Sequence, residues 1–297
     1  MSGIDVSVVI AVKNEETHVE SAVTSVLGQS GLEHEVIVVD DGSTDATLSI
    51  LTRLAAAHPK LRLMRNPKAG KCSAFNFGVS HVRGRFVCIF AGDDLMPGGS
   101  LAARFDKVKD YPVDTPVVGL CKIVTMSEIK RFDGHLVPKR PGQGGLTGVS
   151  PLMNRLAHER IFPVPEVLPN EDTWMENAVL HFPGWTLVHS DIVGCAWRVH
   201  QGNSINMMAG FEEYNRKITV RFQAYGMFLE RHGHELSAES RALLSAKAQC
   251  EAARVRADVL GVLRSPAGWV DRLRALSITN SFFYGVRQRL YGLLSGW

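Results

Sequence analysis

Four short apolar runs, at residues 6–12 (VSVVIAV), 36–40 (VIVVD), 61–65 (LRLMR) and 86–90 (FVCIF), alternate with stretches whose apolar residues recur every three or four positions. An unbroken β-branched run of this length suits a strand buried on both faces, and the intervening spacing suits helices at 17–27, 44–57 and 71–82. Ser43 or Thr44 is the expected cap of the second helix. Strand and helix in strict alternation imply parallel pairing through crossover helices, so the expected fold class is α/β with a mostly parallel, Rossmann-like sheet.

After the fourth run the pattern loosens. Pro97 suits the first position of a helix over 101–108, and 117–125 reads as another strand. Residues 132–150 hold glycines 134, 142, 144, 145 and 148 with Pro138 and Pro141, too many breakers for a regular element, so a mobile loop over a site is expected. A short helix from 150 to about 160, a helix over 171–182 and strands at 185–188 and 193–199 follow.

From residue 211 the texture changes to helix, with Phe211, Tyr214, Ile218, Phe222, Tyr225 and Leu229 three or four apart. His232 and Gly233 break it, a second helix is expected over 237–263, and a third amphipathic segment runs to 297. The expected organisation is therefore an α/β domain at 1–212 and a helical extension at 213–297. Charge follows the same boundary: 20 basic against 23 acidic residues before it and 13 against 7 after it, so any anionic surface meets the C-terminal end. The five cysteines are widely spaced with no CxxC pair, as expected of reduced, buried thiols in the cytoplasm. No basic segment leads into an apolar leader, and no window approaches the roughly 18 apolar residues of a membrane span. A soluble chain is expected, at most peripheral at the cytoplasmic face of the membrane.

Chemistry concentrates where strands end. The second run stops at Asp40 and Asp41 before Gly-Ser-Thr, and the fourth runs into Ala91, Gly92, Asp93 and Asp94. Ligands of open parallel sheets collect beyond such carboxyl ends. The first run leads into Lys13, Asn14, Glu15 and Glu16 in place of G-x-G-x-x-G, and no P-loop is present, which disfavours a dinucleotide-binding protein. A nucleotide bound here would be held by carboxylates, with a hard divalent cation at Asp93 and Asp94 for its phosphates. Lys71 and Asn76, in GKCSAFNFG, would open the third helix near the same crevice. Each has a plainer alternative: Asp40 and Asp41 as turn and cap residues, Asp93 and Asp94 as caps of the helix after Pro97, Lys71 as a solvated helix end.

Five strings, VSVVIAVKNEE, VIVVDDGSTD, GKCSAFNFG, IFAGDDL and NEDTW at 170–174, occur in the order of the family 2 glycosyltransferases, which the chain resembles over roughly residues 5–210. The resemblance implies a GT-A fold and inverting, non-processive transfer of a sugar from a nucleotide-diphosphate donor, foremost a UDP-sugar, assisted by Mg2+ or Mn2+. It implies a glycan or lipid-linked acceptor in bacterial surface polysaccharide or glycolipid synthesis. The Q-x-x-R-W motif of processive synthases is missing. By the same resemblance Ala11 and Glu15 lie beside base and ribose, Asp41 bonds the base with Asp40 next to it, and Asp93 with Asp94 holds metal and ribose-phosphate. Ala91 replaces the first aspartate of the D-x-D motif. Asp172 matches the general base, with Glu171 and Trp174 toward the acceptor. His200 approaches the metal or pyrophosphate, and Arg198 beside it could pair with phosphate.

These roles have rivals as well. Acids at the start of a helix complement its dipole, Trp174 could fill the core, and a lone histidine is more often structural. At the tail, Arg264, Arg272, Arg274, Arg287 and Arg289 interleave with Trp269, Phe282, Phe283, Tyr284, Tyr291 and Trp297, which suits either a helix in an anionic membrane interface or a packed extension. No nucleic-acid motif is present. A nucleotidyltransferase and a non-catalytic nucleotide-sugar or glycan-binding module are the competing functions, the second suggested by Ala91.

Overall fold

The apolar run of β1 (Val6–Val12) is buried almost throughout, with Val6, Val8, Val9 and Ile10 wholly out of water, and β2 (His34–Asp40) and β4 (Phe86–Ala91) are buried in the same way. Strands without polar alternation belong inside a sheet covered on both faces. In the computed structural model, which describes residues 3–199 and 209–289, they are its centre: β3 (Leu61–Arg65), β2, β1 and β4 are neighbours and all parallel. The register has a functional consequence. Val12 lies opposite Asp40, Asp40 opposite Arg65, and Ala11 opposite both Val39 and Ala91, so the four strands end level. Between them run α1 (Val19–Leu27) and α2 (Thr47–Ala57), each burying one face, in α1 Val19, Ala22, Val23 and Val26, and α3 (Lys71–Val79), which is buried on most sides through Cys72, Ser73, Ala74, Phe75, Gly78 and Val79.

Beyond β4 the sheet is mixed. β7 (Leu152–Asn154) runs antiparallel to both β4 and β5 (Val117–Met126), β6 (Leu136–Val137) pairs antiparallel with β5, and β8 (Thr186–Arg198) runs parallel to β5. The two strands expected at 185–188 and 193–199 are thus one strand, with shifts of register near Lys122. Residues 132–150, expected as a loop, are tied to the sheet at several points. They supply β6, the Gly145 N–H bonds the Cys121 carbonyl at 2.8 Å, the Gly142 N–H bonds Asp191, and the Lys122 ammonium reaches the Arg140 carbonyl at 2.8 Å. Close approach accounts for Gly144, where a Cβ would stand 2.4 Å from the Leu120 carbonyl.

Three local expectations are also corrected. Residues after 150 begin as β7, because the Asn154 side chain caps α5 (Arg155–Ile161) by accepting from the Ala157 N–H. Pro97 precedes the start of α4 (Ser100–Asp106) instead of opening it. Neither Ser43 nor Thr44 caps α2; Asp45 accepts from the Thr47 N–H and Glu16 from the Ala46 N–H.

Two compact units result, Met1–Val167 with Gly184–Val199, and Leu168–Pro183 with His200–Trp297. The boundary expected at 212/213 falls inside the second unit, because α6 (Asp172–His181) clusters with the C-terminal helices. Its Trp174 meets Phe228 of α7 (Phe211–His232) edge-on at 4.9 Å between ring centres, and Phe182 meets the same Phe228 at 5.3 Å. The helix expected over 237–263 is two, α8 (Ala238–Val255) and α9 (Val259–Arg264), interrupted where Ala257 takes a left-handed φ of 55°. α10 (Trp269–Leu276) and α11 (Ser281–Arg289) follow. Inside this unit a buried Arg254 is satisfied by Glu251, Asn215 and Thr219. Among the described residues no helix is long and apolar enough to cross a membrane. All five cysteines are buried and unbridged.

Candidate active site

Strands that end level hand their next residues to one rim, and here those residues are polar. After β1 the chain turns through Asn14, whose φ of 56° is a left-handed conformation that asparagine tolerates. The loops after β1 and β2 are then laced together: the Asn14 N–H bonds Ser43 Oγ at 3.0 Å, the Thr44 N–H bonds Asn14 Oδ1 at 2.8 Å, and the Glu15 N–H bonds Thr47 Oγ1 at 2.8 Å. Glu15 is held half-buried, its stem beside Gly92 at the end of β4.

Asp41 is fixed from several sides. Its N–H bonds the Val12 carbonyl at 2.8 Å, and its Oδ1 accepts from Asn66 Nδ2 at 2.6 Å and from the Gly70 N–H at 2.9 Å. Gly70 has a φ of 133°, a conformation that side chains rarely take, and it delivers Lys71 as the first residue of α3. The Lys13 ammonium stands 3.8 Å from Asp41 Oδ2, and Lys71 is close enough for its charge to act on Asp94. Ala11, Glu15, Asp41, Lys71 and Asp93 therefore share the rim. Asn66 was missed from sequence; its one signal was an asparagine directly after a strand.

Two expected donor-site residues serve the fold instead. Asp40 is completely buried and accepts from the Gly42 and Ser43 N–H groups, each at 3.2 Å, so it builds the turn. Asn76 both donates to and accepts from the Val164 backbone at 2.8 Å, fastening α3 to that segment.

Asp93 and Asp94 part company. Asp94 is 1% exposed, with Oδ1 accepting from the Arg198 N–H at 2.8 Å and Oδ2 3.4 Å from the Cys195 thiol, beside a two-residue bridge of Leu95 to Ala196. Burial pushes its carboxyl up to about 7, the Asp93 charge adds to that, and the Arg198 N–H opposes it. The expected metal ligand Asp94 is thus turned into the protein, where it stitches the end of β4 to β8. Arg198 does related work, its Nε donating to the Asp93 carbonyl at 2.8 Å. His200 lies outside the described residues. Among the described residues no group of three or more His, Cys, Asp or Glu side chains is arranged to hold a metal. A hard cation carried by a diphosphate asks the protein for only one or two carboxylates, and half-buried Asp93 fits that smaller demand.

Asp172 opens α6 in the second unit, where a carboxylate complements the positive end of the helix dipole. Its Oδ1 accepts from the Thr173 N–H at 2.7 Å, and its Oδ2 pairs with Arg221 Nη2 at 2.6 Å. Arg221 Nε also donates to Thr173 Oγ1 at 2.8 Å, so one guanidinium from α7 grips two successive residues and sets the carboxylate's orientation. One turn on, burial raises the Glu176 carboxyl above its ordinary value, against the opposing charges of Lys247 and Arg221. Glu171 and Trp174 are corrected as acceptor contacts. Both are buried, Trp174 completely, with Arg231 4.9 Å over its ring, which removes the face on which a sugar would stack.

With this geometry established, the similarities take on meaning. Residues 7–144 match the family described as Glycosyl transferase family 2. The chondroitin synthase of Pasteurella multocida (strain Pm70) is 34% identical over 91 residues, 31% of this chain and 9% of that protein. The succinoglycan biosynthesis protein ExoO of Rhizobium meliloti is 36% identical over 93 residues, 31% of this chain and 26% of ExoO. These relatives are matched over a small part of their length. Structural likeness extends further. S. aureus TarS 1–349 in complex with UDP-GlcNAc superposes with a TM-score of 0.59, covering 99% of this chain and 90% of TarS 1–349 at 15% identity. The mannosyltransferase PcManGT from Pyrobaculum calidifontis, in complex with GDP-Man and Mn2+, superposes with 0.57, covering 98% and 85% at 19% identity. The shared fold is GT-A with a helical C-terminal region.

Proposed function

We propose, from the match of residues 7–144 to glycosyl transferase family 2, that this chain transfers a sugar from a nucleotide-diphosphate donor to an acceptor hydroxyl with inversion at the anomeric carbon. One observation carries the reading: four parallel strands end level and bring Glu15, Asp41, Lys71 and Asp93 to a single rim. Ala11 is small enough to admit the base beside it. Asp41, its orientation set by Asn66 and Gly70, presents Oδ2 to an N–H of the base, and Glu15 bonds the ribose. Lys71 meets the phosphates as a point charge. Asp93 holds Mg2+ or Mn2+, which when bound supplies positive charge opposite the departing diphosphate. Asp172, aligned by Arg221, takes the proton of the acceptor hydroxyl as that oxygen attacks.

The nucleotide sugars bound by TarS and PcManGT support the donor class, with a UDP-sugar as first choice. The chondroitin and succinoglycan relatives support a glycan or lipid-linked acceptor in surface polysaccharide or glycolipid synthesis. We place the reaction in the cytoplasm or at the cytoplasmic face of the membrane. Ala91 in the D-x-D position is what a non-catalytic binding module would also show, so the test must separate binding from turnover.

A thermal-shift screen of nucleotide sugars with Mn2+ does so when joined to an assay for released nucleotide. A donor at a hundredfold excess over its Kd should raise the unfolding midpoint by about 5 °C or more. Asp93→Ala should lose the Mn2+-dependent part of that shift, and the product of the native chain should have inverted anomeric configuration by NMR. A shift without nucleotide release establishes the binding module; no shift with any donor ends the proposal.

A further inference from the structure

Several tail residues that suit a lipid surface are committed elsewhere. Tyr284 is buried with its hydroxyl on the Ala209 carbonyl, Arg274 pairs with Glu251 and Asp271, and Arg287 bonds Ser277 and Tyr214. Tyr291 and Trp297 lie outside the described residues. An open apolar face does exist in this unit, on α9 and α10. Val262, Ala267 and Ala275 turn inward to a small core with Ala246, Cys250 and Ala253 of α8. On the outward side Leu260, Leu263, Trp269, Val270 and Leu273 are 60, 46, 68, 60 and 54% exposed.

Three of these side chains share one side of α10, and a hydrogen bond sets the end of α9 beside that helix. Trp269, Val270 and Leu273 sit at positions i, i+1 and i+4 of α10, within an arc of about 100°. Arg272 Nη1 bonds the Leu263 carbonyl at 2.9 Å, tying the end of α9 to α10. Scattered exposed leucines need no explanation, but a contiguous patch with tryptophan in it marks an interaction site. Its surroundings are basic. Arg256 and Arg264 are exposed at the ends of α8 and α9, whereas Asp271 is spent on Arg274 and Asp258 on capping α9.

We propose that the α9–α10 hairpin is a membrane-docking element that seats on an anionic phospholipid surface, with the five apolar side chains in the interfacial zone and Arg256 and Arg264 against the headgroups. Charge chooses this occupant over a second copy of the chain: a symmetric dimer would bring Arg256 and Arg264 of both copies to one interface with only Asp258 of each to offset them, whereas an anionic bilayer neutralises them. Tryptophan is also the residue that favours the headgroup level. The element adds a place of action to the transfer proposed above, and vesicle binding is read separately from turnover, so either can fail alone.

Flotation of the full chain decides it, with vesicles of phosphatidylcholine mixed with phosphatidylglycerol and of phosphatidylcholine alone. Binding is expected to the mixed vesicles, to fade on raising salt, and to be absent from neutral ones. The pair Trp269→Ser/Leu273→Ser and the pair Arg256→Glu/Arg264→Glu should each weaken it at least about tenfold, with circular dichroism melting retained because all four side chains are exposed. Failure of the native chain to float, or equal flotation of the Trp269/Leu273 variant, overturns the proposal. So does a concentration-dependent dimer that this variant abolishes while no vesicle binding is seen, which assigns the face to a second copy.

Discussion

The carboxylates at the strand rim and the carboxylate that opens α6 are held by different means. At the rim the partners are mostly backbone N–H groups: Gly42 and Ser43 for Asp40, Gly70 for Asp41, Arg198 for Asp94. Asp172 depends on a guanidinium that arrives from α7, 49 positions along the chain. Backbone donors come with the strand register and the turn, so the rim is as rigid as the sheet beneath it. A side-chain clamp is adjustable: replacing one residue alters it without disturbing any strand. The proposed chemistry divides in the same way, with donor binding on the rigid unit and proton transfer on the helical one.

The strongest attempt to break this division is Asp172→Asn. The amide keeps the shape and still accepts from the Thr173 N–H but has lost the capacity to take a proton, so kcat should fall about 10²- to 10⁴-fold. Donor affinity, measured by calorimetry, should stay where it was. Were the acid present only to satisfy Arg221 and the helix dipole, the melting temperature would drop and turnover would hold.

Asp41→Ala probes the other side and should do the reverse. It strips the Gly70 N–H and Asn66 of their acceptor and the base of its contact. Charge-assisted bonds of this kind are worth about 1.5–3 kcal/mol, so donor Kd should rise roughly 10- to 100-fold. At saturating donor kcat should change far less. A fall in kcat at full saturation, with Kd intact, would move Asp41 out of the donor site.

The same contrast explains what could be read in advance. β1 and β3 were legible to the residue, β1 because a doubly buried run has no other place to go. The rim followed from the strand ends, but its members did not: Asp40 and Asp41 are neighbours of one type, and only the turn geometry shows that the first is consumed by amides. Asp94 was unreadable for a related reason, since its partner strand arrives a hundred residues later. How the 132–150 segment is fastened to the sheet was not legible, because glycine signals absent helix as much as close approach, and Gly144 is there for the second reason. In the helical unit Trp174 and Arg221 sit on helices of ordinary periodicity, where the side that faces inward is decided by packing.

Arg221 offers the smallest and most discriminating change. Arg221→Met keeps the length of the side chain and removes the fork that spans Asp172 and Thr173, so the carboxylate is no longer aimed. Misaiming a reacting group costs rate without costing ground-state donor binding, and about a tenfold loss in kcat with unchanged donor KM is expected. Arg221→Lys should restore part of it, since an ammonium can reach Asp172 Oδ2 but cannot hold Thr173 Oγ1 at the same time. A merely structural arginine would give a different pattern: both variants would melt earlier, and kcat per folded molecule would remain native. Observing that pattern would mean that α6 is held in place by α7 while its carboxylate needs no aiming, and the division between backbone-held and side-chain-held acids would be one of stability alone.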